Sequence, residues 1–265
     1  MVQNEDAFVE RAVRNVLDFC DELITVDHRS RDRTRRILDA LAAEHPEKIS
    51  VHAVERAGDS KVFLRPYVGE RVWVFGVDGD ELYEPARLAE LRPRLLAGEF
   101  DDAYLIKGNV LHCVELDVDQ LRAAGYLAPP SRSITKLFNF SVLEEWSGDA
   151  YEHLYGGIRR FRPGFGEETI LHLHKVVDWH ASPFRCLHAC FLPRSSTQSP
   201  RHVARRGTLE TLRLRPSRRR WEALRAAVGR PVDSPWKLEK YRQGTLVEVT
   251  DLAGFFPTAA QGSTA

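Results

Sequence analysis

The amino-acid sequence predicts an α/β fold with a mixed, mainly parallel sheet, flanking helices and a less regular second half. Helical stripes and short apolar runs alternate through the first half of the 265-residue chain, as they do in sheets covered by helices. The apolar run at 72–77 leads directly into Asp78-Gly79-Asp80-Glu81. Ligands of such folds bind beyond the carboxyl ends of the strands, so we expect the site at that edge.

The elements of the first half follow from hydrophobic periodicity. Apolar residues at 9–17 recur at the spacing of one helical stripe, with Asn4 or Asp6 as the cap. A short apolar strand at 23–26 then ends at Asp27. The later elements expected are a helix capped within 30–34, strands at 49–54 and 72–77, a helix at 85–96, and a hairpin of strands at 103–107 and 110–116.

The second half offers fewer assignable elements. A strand is expected at 169–177, and a helix near 208–227 overlaps a strongly basic run at 194–220. We divide the chain into a first half at 1–116, a second half of the same domain at 117–193, and a basic helical extension at 194–265.

Composition excludes several classes of protein. Thirty-eight basic and 38 acidic residues balance to a formal charge of +0, so no global attraction to nucleic acid is expected. The sequence shows no signal peptide and no apolar stretch that could span a bilayer, so we expect a cytoplasmic protein with reduced thiols. Cys186, His188 and Cys190 are metal-binding residue types, but without an evident fourth ligand core packing is the favoured interpretation.

The acidic turn has the chemistry of a divalent-cation site. Side chains two apart on a straight strand lie about 6.5–7 Å apart, whereas Mg²⁺ binds oxygens at about 2.1 Å. Asp78 and Asp80 therefore cannot both bind one ion directly unless Gly79 turns the backbone. A cation here would neutralise a diphosphate leaving group. The alternative is a solvated turn of acidic residues.

Three motifs occur in a fixed order: Asn4-Glu5, then Asp27 followed by Ser30–Thr34, then Asp78–Glu81. Their order and spacing resemble the nucleotide-sugar half of the family 2 glycosyltransferases over roughly residues 2–116. The resemblance implies the GT-A fold, a Rossmann-type architecture, and transfer of a sugar from a nucleoside diphosphate sugar with inversion. It also implies Mg²⁺ or Mn²⁺ as cofactor, and that the second half shapes the acceptor site.

The resemblance implies a role for each motif. Asn4 and Glu5 match positions near the nucleotide, and Asp27 matches the acid that contacts its base. Asp78 and Asp80 match the pair near ribose, diphosphate and metal; Asp80 is expected to bind the metal directly and Asp78 to contact ribose or act through water. Asp27 has a structural alternative as a loop or helix cap.

The chain departs from the family at its start. The apolar first strand that normally precedes Asn4-Glu5 is reduced to Met1-Val2-Gln3. We expect either a longer natural N-terminus, which we favour, or a sheet built without that strand.

The catalytic base is sought in the second half. An inverting transfer needs a carboxylate that takes the acceptor proton. By the resemblance, the stretch after Lys136-Leu137-Phe138 leads to Glu152 as the base, although Tyr151 replaces the usual histidine before it. Asp149 is the second choice, and a surface acid without catalytic function is the alternative.

His172 and His174 alternate with leucines, so they are expected to share one face of a strand. The resemblance implies that a late histidine contacts the metal or the diphosphate. A pair of satisfied polar-face histidines is the equal alternative, and both stay open.

The partners follow from these expectations. The donor is a nucleoside diphosphate sugar, and the acceptor is open between a lipid-linked sugar and a cell-surface glycan precursor. The basic run at 194–220 is a solvated helix or a contact with acceptor phosphate or with the anionic inner face of a membrane. Nucleic acid ranks last, because no nucleic-acid motif is present.

Two other functions remain open from the sequence. A nucleotidyltransferase shares this kind of architecture, but it usually opens with a glycine-rich phosphate loop that is not seen near residue 1. The other is a non-catalytic sugar-nucleotide-binding protein.

Overall fold

The computed structural model describes residues 1–148, 156–197 and 235–257, and every structural statement refers to these ranges. The fold is a mixed α/β arrangement with helices packed on several sheets. The helices are α1 (Val9–Val16), α2 (Thr34–Glu44), α3 (Pro85–Leu96), α4 (Leu173–Val176) and α5 (Pro235–Tyr241). Short 3-10 helices lie at Ala57–Phe63, Arg65–Tyr67, Phe140–Val142 and Ala253–Phe255.

The strands form four sheets. They are β1 (Leu23–Asp27), β2 (Ile49–Ala53), β3 (Trp73–Gly76), β4 (Glu81–Tyr83), β5 (Leu105–Lys107), β6 (Asn109–Asp117), β7 (Arg122–Ala128), β8 (Lys136–Asn139), β9 (Leu143–Ser147), β10 (Ile158–Phe161), β11 (Ile170–His172), β12 (Arg185–His188) and β13 (Leu246–Val249). The two larger sheets have the orders β11-β5-β8-β3 and β13-β7-β6-β12-β4, and β1-β2 and β10-β9 form two-stranded sheets.

The sheets are mixed, and antiparallel pairing predominates among the described strands. Parallel pairs are β1 with β2, β11 with β5, and β12 with β6. The other six pairs of named strands are antiparallel. The expected α/β class is confirmed, whereas the mainly parallel sheet is not evident, because β8 runs against β3 and β5 and because β6 and β7 form a hairpin.

The four-stranded sheet still gathers several strand ends on one edge. Strands β3 and β5 both run antiparallel to β8, and β11 runs parallel to β5. These three strands therefore point the same way, and their carboxyl ends lie along one edge. The acidic turn at 77–80 follows β3 at that edge.

The expected hairpin between β5 and β6 is wrong. Strand β5 pairs with β8 and β11, whereas β6 pairs with β7 and β12. The chain passes from one sheet to the other at Gly108, where an added Cβ would lie 2.0 Å from the Phe184 carbonyl oxygen. A backbone approach this close requires glycine.

The helices lie close to where the sequence places them. Helix α3 has the expected bounds, and Leu88, Leu91 and Leu95 form its buried face. Helix α1 buries Val9 and Val13 against α2. The expected strand at 169–177 is only partly formed, because β11 ends at His172 and α4 follows it. None of the described helices combines the length and the apolarity that a bilayer crossing requires.

At the position of the expected N-terminal first strand, Val2 is the residue that pairs with β1. It forms an isolated parallel bridge with Asp27, with its N–H donating to the Val26 carbonyl and its carbonyl accepting from the His28 N–H. Strands β1 and β3 line a mainly apolar cavity of about 420 Å³ that extends from Val2 to Lys136.

Residues near the end of the described chain belong to the same core. Strand β13 pairs with β7, and Leu252 and Phe255 are fully buried beside Leu111 and Leu187. The segment 246–255 is therefore an integral part of the five-stranded sheet and its packing.

Candidate functional site

The acidic turn between β3 and β4 is held by its own backbone and is largely buried. The Glu81 N–H donates to the Asp78 carbonyl at 3.1 Å, which closes the turn that the sequence predicts at Gly79. Asp80 and Glu81 are 2% and 0% exposed, whereas the side chain of Asp78 is 38% exposed. Of these three acids, Asp78 is the one open to a ligand from solvent.

Lys136 neutralises one side of this turn. Its Nζ lies 2.9 Å from Asp78 Oδ2 and 3.4 Å from Glu81 Oε1. The Tyr83 hydroxyl donates to Glu81 Oε2 at 3.1 Å. Burial raises the pKa of Glu81 well above its usual range, Lys136 opposes that shift, and the nearby Asp78 and Asp80 carboxylates add to it.

Arg194 neutralises the other side. Its Nη1 lies 2.9 Å from Asp80 Oδ2 and 3.0 Å from Glu5 Oε1, with all three side chains almost fully buried. Although burial disfavours the charged guanidinium, the two carboxylates raise the pKa of Arg194. We use the name acidic corner for Glu5, Asp78, Asp80 and Glu81 together with their cations Lys136 and Arg194.

Glu5 joins two of the sequence motifs directly. Its N–H donates to Thr34 Oγ1 at 2.8 Å, and its Oε2 accepts from the Gly79 N–H at 3.2 Å. An added Cβ at Gly79 would lie 2.4 Å from that same oxygen, so a larger residue there would displace the Glu5 carboxylate. Burial raises the pKa of Glu5 to about 7; Arg194 opposes this shift, and Asp80 and Asp78 increase it.

Asn4 and Asp27 form hydrogen bonds with the loop that follows β1. The Asn4 N–H donates to Ser30 Oγ at 2.9 Å, and Asn4 Oδ1 accepts from the Arg31 N–H at 2.6 Å. Both carboxylate oxygens of Asp27 lie 3.3 Å from the Ser30 N–H that donates to them. Asp27 therefore acts as a loop cap at the end of β1, beside the N-terminal motif.

Arg194 is positioned by hydrogen bonds between its own segment and the N-terminal residues. The Ala7 N–H donates to the Arg194 carbonyl at 3.1 Å, and the Ser196 N–H donates to Asp6 Oδ1 at 2.6 Å. Although burial favours the protonated acid, hydrogen bonds from Ser196 and Arg33 lower the pKa of Asp6 to about 2. Sequence reasoning missed Arg194, because it read as one of many arginines in a basic run.

His172 and His174 do not share one face of a strand. His172 is the last residue of β11, and His174 lies in α4 with its Nδ1 3.2 Å from the Lys107 carbonyl oxygen. Their rings meet edge to face with centroids 5.5 Å apart. Burial lowers the pKa of both. Three strand spacings, about 14 Å, separate β11 from β3, so the structure does not bring this pair to the acidic turn.

A cluster of two histidines and a cysteine lies at the adjacent strands β6 and β12 of the five-stranded sheet. His112 on β6 and His188 on β12 are register partners, and their Nδ1 atoms lie 2.8 Å apart. Cys190 joins the two histidines in a group in which one candidate ligand atom of each residue lies within 4.8 Å of the others. His112 is the member that the sequence could not supply, because it lies 76 positions from His188 along the chain.

The two candidate bases lie outside the described residues. Asp149 and Glu152 fall between β9 and β10, and the structure neither supports nor opposes their assignment. The basic run beyond Thr197 and the helix expected near 208–227 also lie outside the described ranges.

Comparison with known proteins adds no identification. No protein-family model matches the chain, and no curated protein matches it.

Proposed function

We propose that the chain is an inverting glycosyltransferase that moves a sugar from a nucleoside diphosphate sugar to an acceptor hydroxyl. One observation carries the proposal: Glu5 hydrogen-bonds both to the helix start that follows β1 and to the acidic turn that follows β3. Motifs that are more than 70 residues apart in sequence thus meet at one strand edge. Strand ends of this kind are where α/β folds bind nucleotides.

The arrangement of strands supports a GT-A-like architecture for the first half. Strands β1 and β2 pair in parallel, with α1 and α2 packed together beside them. Strands β3, β5 and β11 share a direction, which leaves their carboxyl ends on one edge. The antiparallel β8 within that sheet makes it a mixed sheet.

We place the donor at the strand edge. The cavity of about 420 Å³ between β1 and β3 is lined mainly by apolar side chains, which do not suit a diphosphate. The strand edge presents Asp78, which is 38% exposed, and the buried Asp27 and Glu5 lie beside it. In this proposal Asp27 and Asn4 lie near the base, and Asp78 lies near the ribose and the diphosphate.

The acidic corner fits a divalent cation in part. Carboxylate oxygens are the ligands that Mg²⁺ and Mn²⁺ prefer, and Asp78 is exposed enough to provide one. Asp80 is only 2% exposed and its Oδ2 pairs with Arg194, so a direct bond from Asp80 to a metal would require the acidic corner to rearrange. A bound cation would supply charge neutralisation for the diphosphate. Arg194 and Lys136 already supply positive charge to the same acids.

The remaining roles extend the proposal into the second half. Glu152, or else Asp149, takes the proton of the acceptor hydroxyl. The acceptor is a lipid-linked sugar or a cell-surface glycan precursor, and the protein acts in the cytoplasm or at the inner face of the membrane.

Donor hydrolysis without acceptor tests the enzymatic part of the proposal. Water then replaces the acceptor, the bond from the sugar to the diphosphate breaks, and free nucleoside diphosphate is released. We expect release in the presence of Mn²⁺ and at least about a tenfold loss in Asp78→Asn, which is equivalent to about 1.4 kcal/mol. The matched control is Asp39→Asn, since Asp39 is also partly exposed and also paired with a cation, here Arg35. Equal rates in the two variants would overturn the role of Asp78.

Arg194 gives the non-catalytic alternative a specific basis. A guanidinium fixed between Glu5 and Asp80 occupies the position where a catalytic cation would otherwise neutralise them. If nucleotide sugars bind equally well with and without Mn²⁺ and no hydrolysis or transfer is detected, the protein is a sugar-nucleotide-binding protein. Formation of a nucleotide sugar from a nucleoside triphosphate and a sugar phosphate would identify a nucleotidyltransferase instead.

A further inference from the structure

We propose that His112, His188 and Cys190 bind a Zn²⁺ ion, at a site separate from the Asp78 carboxylate. The three residues come from β6, from β12 and from the turn that follows β12, and all three are buried. Imidazole and thiolate together are a ligand set that favours zinc over Mg²⁺ or Mn²⁺.

The outer nitrogen of His112 fixes its protonation state. Its Nε2 lies 2.9 Å from the Arg132 carbonyl oxygen, which can only accept, so Nε2 carries the proton. In the neutral ring Nδ1 then carries a lone pair, and this atom lies 2.8 Å from His188 Nδ1.

The outer nitrogen of His188 faces an acid. Its Nε2 lies 3.7 Å from Asp80 Oδ2, and a protonated Nε2 is the form that this carboxylate favours. If His188 is protonated at Nδ1, that N–H donates to His112 Nδ1 in an ordinary hydrogen bond, which the 2.8 Å separation fits. If His188 is instead protonated at Nε2, both Nδ1 atoms have lone pairs that one cation can bind. A metal ion satisfies both, and it leaves each histidine with the outer partner, a carbonyl or a carboxylate, that metal-bound histidines commonly have.

Cys190 completes a three-residue ligand set. Its Sγ and one ring nitrogen of each histidine lie within 4.8 Å of one another, so modest side-chain shifts bring them to Zn–N distances of about 2.0–2.1 Å and a Zn–S distance of about 2.3 Å. Zinc binding would release the thiol proton.

Tyr241 closes the site from the far side. Its ring stacks on His112 with centroids 4.5 Å apart and meets His188 edge to face at 5.5 Å. Tyr241 ends α5, which is tied down where the Arg132 N–H donates to the Lys240 carbonyl at 2.9 Å. The site would therefore fasten β6 to β12 beneath the segment that begins at 235.

Metal analysis of the tag-free, reduced full chain tests the proposal. We expect close to one zinc per chain after purification without chelator. Replacement by Co²⁺ should give a thiolate-to-cobalt charge-transfer band in the near ultraviolet and intense visible bands typical of tetrahedral coordination. A wild-type protein that takes up neither zinc nor cobalt would overturn the proposal and would leave a proton shared between the histidines.

Two cysteine variants separate ligation from packing. Cys190→Ser should abolish the charge-transfer band and should weaken zinc binding by more than the roughly 10–100-fold that loss of an outer-shell partner costs. Cys186→Ser is the matched control, because Cys186 is equally buried on β12 but outside the cluster. An unchanged cobalt spectrum in Cys190→Ser would overturn the assignment. Zinc content should be unaffected in Asp78→Asn, whatever becomes of donor hydrolysis.

Discussion

At the scale of single residues, Arg194 is the side chain on which the acidic corner depends. It is the shared partner of Glu5 and Asp80, which come from opposite ends of the first half. A buried ion pair adds little net stability, but removal of one partner leaves a buried charge without compensation.

Removal of Arg194 should therefore destabilise the fold markedly. We expect Arg194→Met to lower the free energy of unfolding by about 3 kcal/mol, measured by urea denaturation at neutral pH. The control is Arg160→Met, because the Arg160 side chain is 67% exposed and pairs only with surface acids, and it should cost less than about 1 kcal/mol. Equal losses in the two variants would contradict the proposed importance of the buried pairing.

Glu5 should make stability depend on pH in a specific direction. Its pKa rises from 4.5 to about 7 on folding, so the folded state holds a proton that the unfolded chain has lost in that window. This contribution to stability is complete below pH 4.5 and is lost as the pH rises through 7.

Comparison with Glu5→Gln measures this effect. The wild type should lose up to about 3 kcal/mol relative to the variant between pH 4.5 and 7.5, measured by urea denaturation without divalent cations. Parallel stability profiles for the two proteins would show that Glu5 titrates normally.

At the scale of elements, the crossing between the two larger sheets depends on Gly108. An alanine there would place its Cβ 2.0 Å from the Phe184 carbonyl oxygen. This is a backbone atom, and it cannot move aside as the end of a flexible side chain can. We expect Gly108→Ala to cost about 3 kcal/mol or more in urea denaturation, at the upper end for overpacking. Gly164→Ala is the control: no atom lies within 4 Å of its added Cβ, so it meets only the cost of a φ of +89°, about 1–2 kcal/mol.

Local signals predicted the helices and the ends of the first strands, whereas strand pairing required the structure. The stripe at Leu88, Leu91 and Leu95 is written into consecutive turns, so α3 has the expected bounds. Strand β5 instead pairs with β8 and β11, which lie far from it along the chain. The expected hairpin failed for that reason.

The candidate site was predictable to the same extent. Asp78 and Gly79 follow an apolar strand, so the turn could be found from the sequence. Arg194 and His112 reach their sites through long-range contacts that no local pattern reveals.

At the scale of the whole molecule, Leu252 and Phe255 near the described end of the chain complete a core shared by α1, β6 and β12. The Arg185 guanidinium lies beside the stacked rings of Trp179 and Phe255, 5.2 Å from each centroid, and its Nη1 pairs with Asp251 at 3.0 Å. Asn15 on α1 donates to the Phe255 carbonyl at 2.8 Å.

Truncation of Phe255 should therefore affect the stability of the whole fold. We expect Phe255→Ala to cost about 3–5 kcal/mol, in a single transition that β1 and β3 share. Phe256→Ala should cost less, because that neighbouring ring is only partly buried. Urea denaturation followed by hydrogen exchange at both ends of the chain measures this; separate transitions would mean that the segment folds independently.

Nucleotide-sugar binding is the most direct test of the proposed glycosyltransferase function. UDP-, GDP- and dTDP-sugars should be screened by thermal shift, with and without Mn²⁺, against the wild type, Asp78→Asn and the control Asp39→Asn. We expect at least one donor to stabilise the wild type and the control, by about 2.7 kcal/mol at one hundred times its dissociation constant, and we expect Asp78→Asn to weaken this effect. Cooperative unfolding of the wild type with no shift from any of these donors would contradict it.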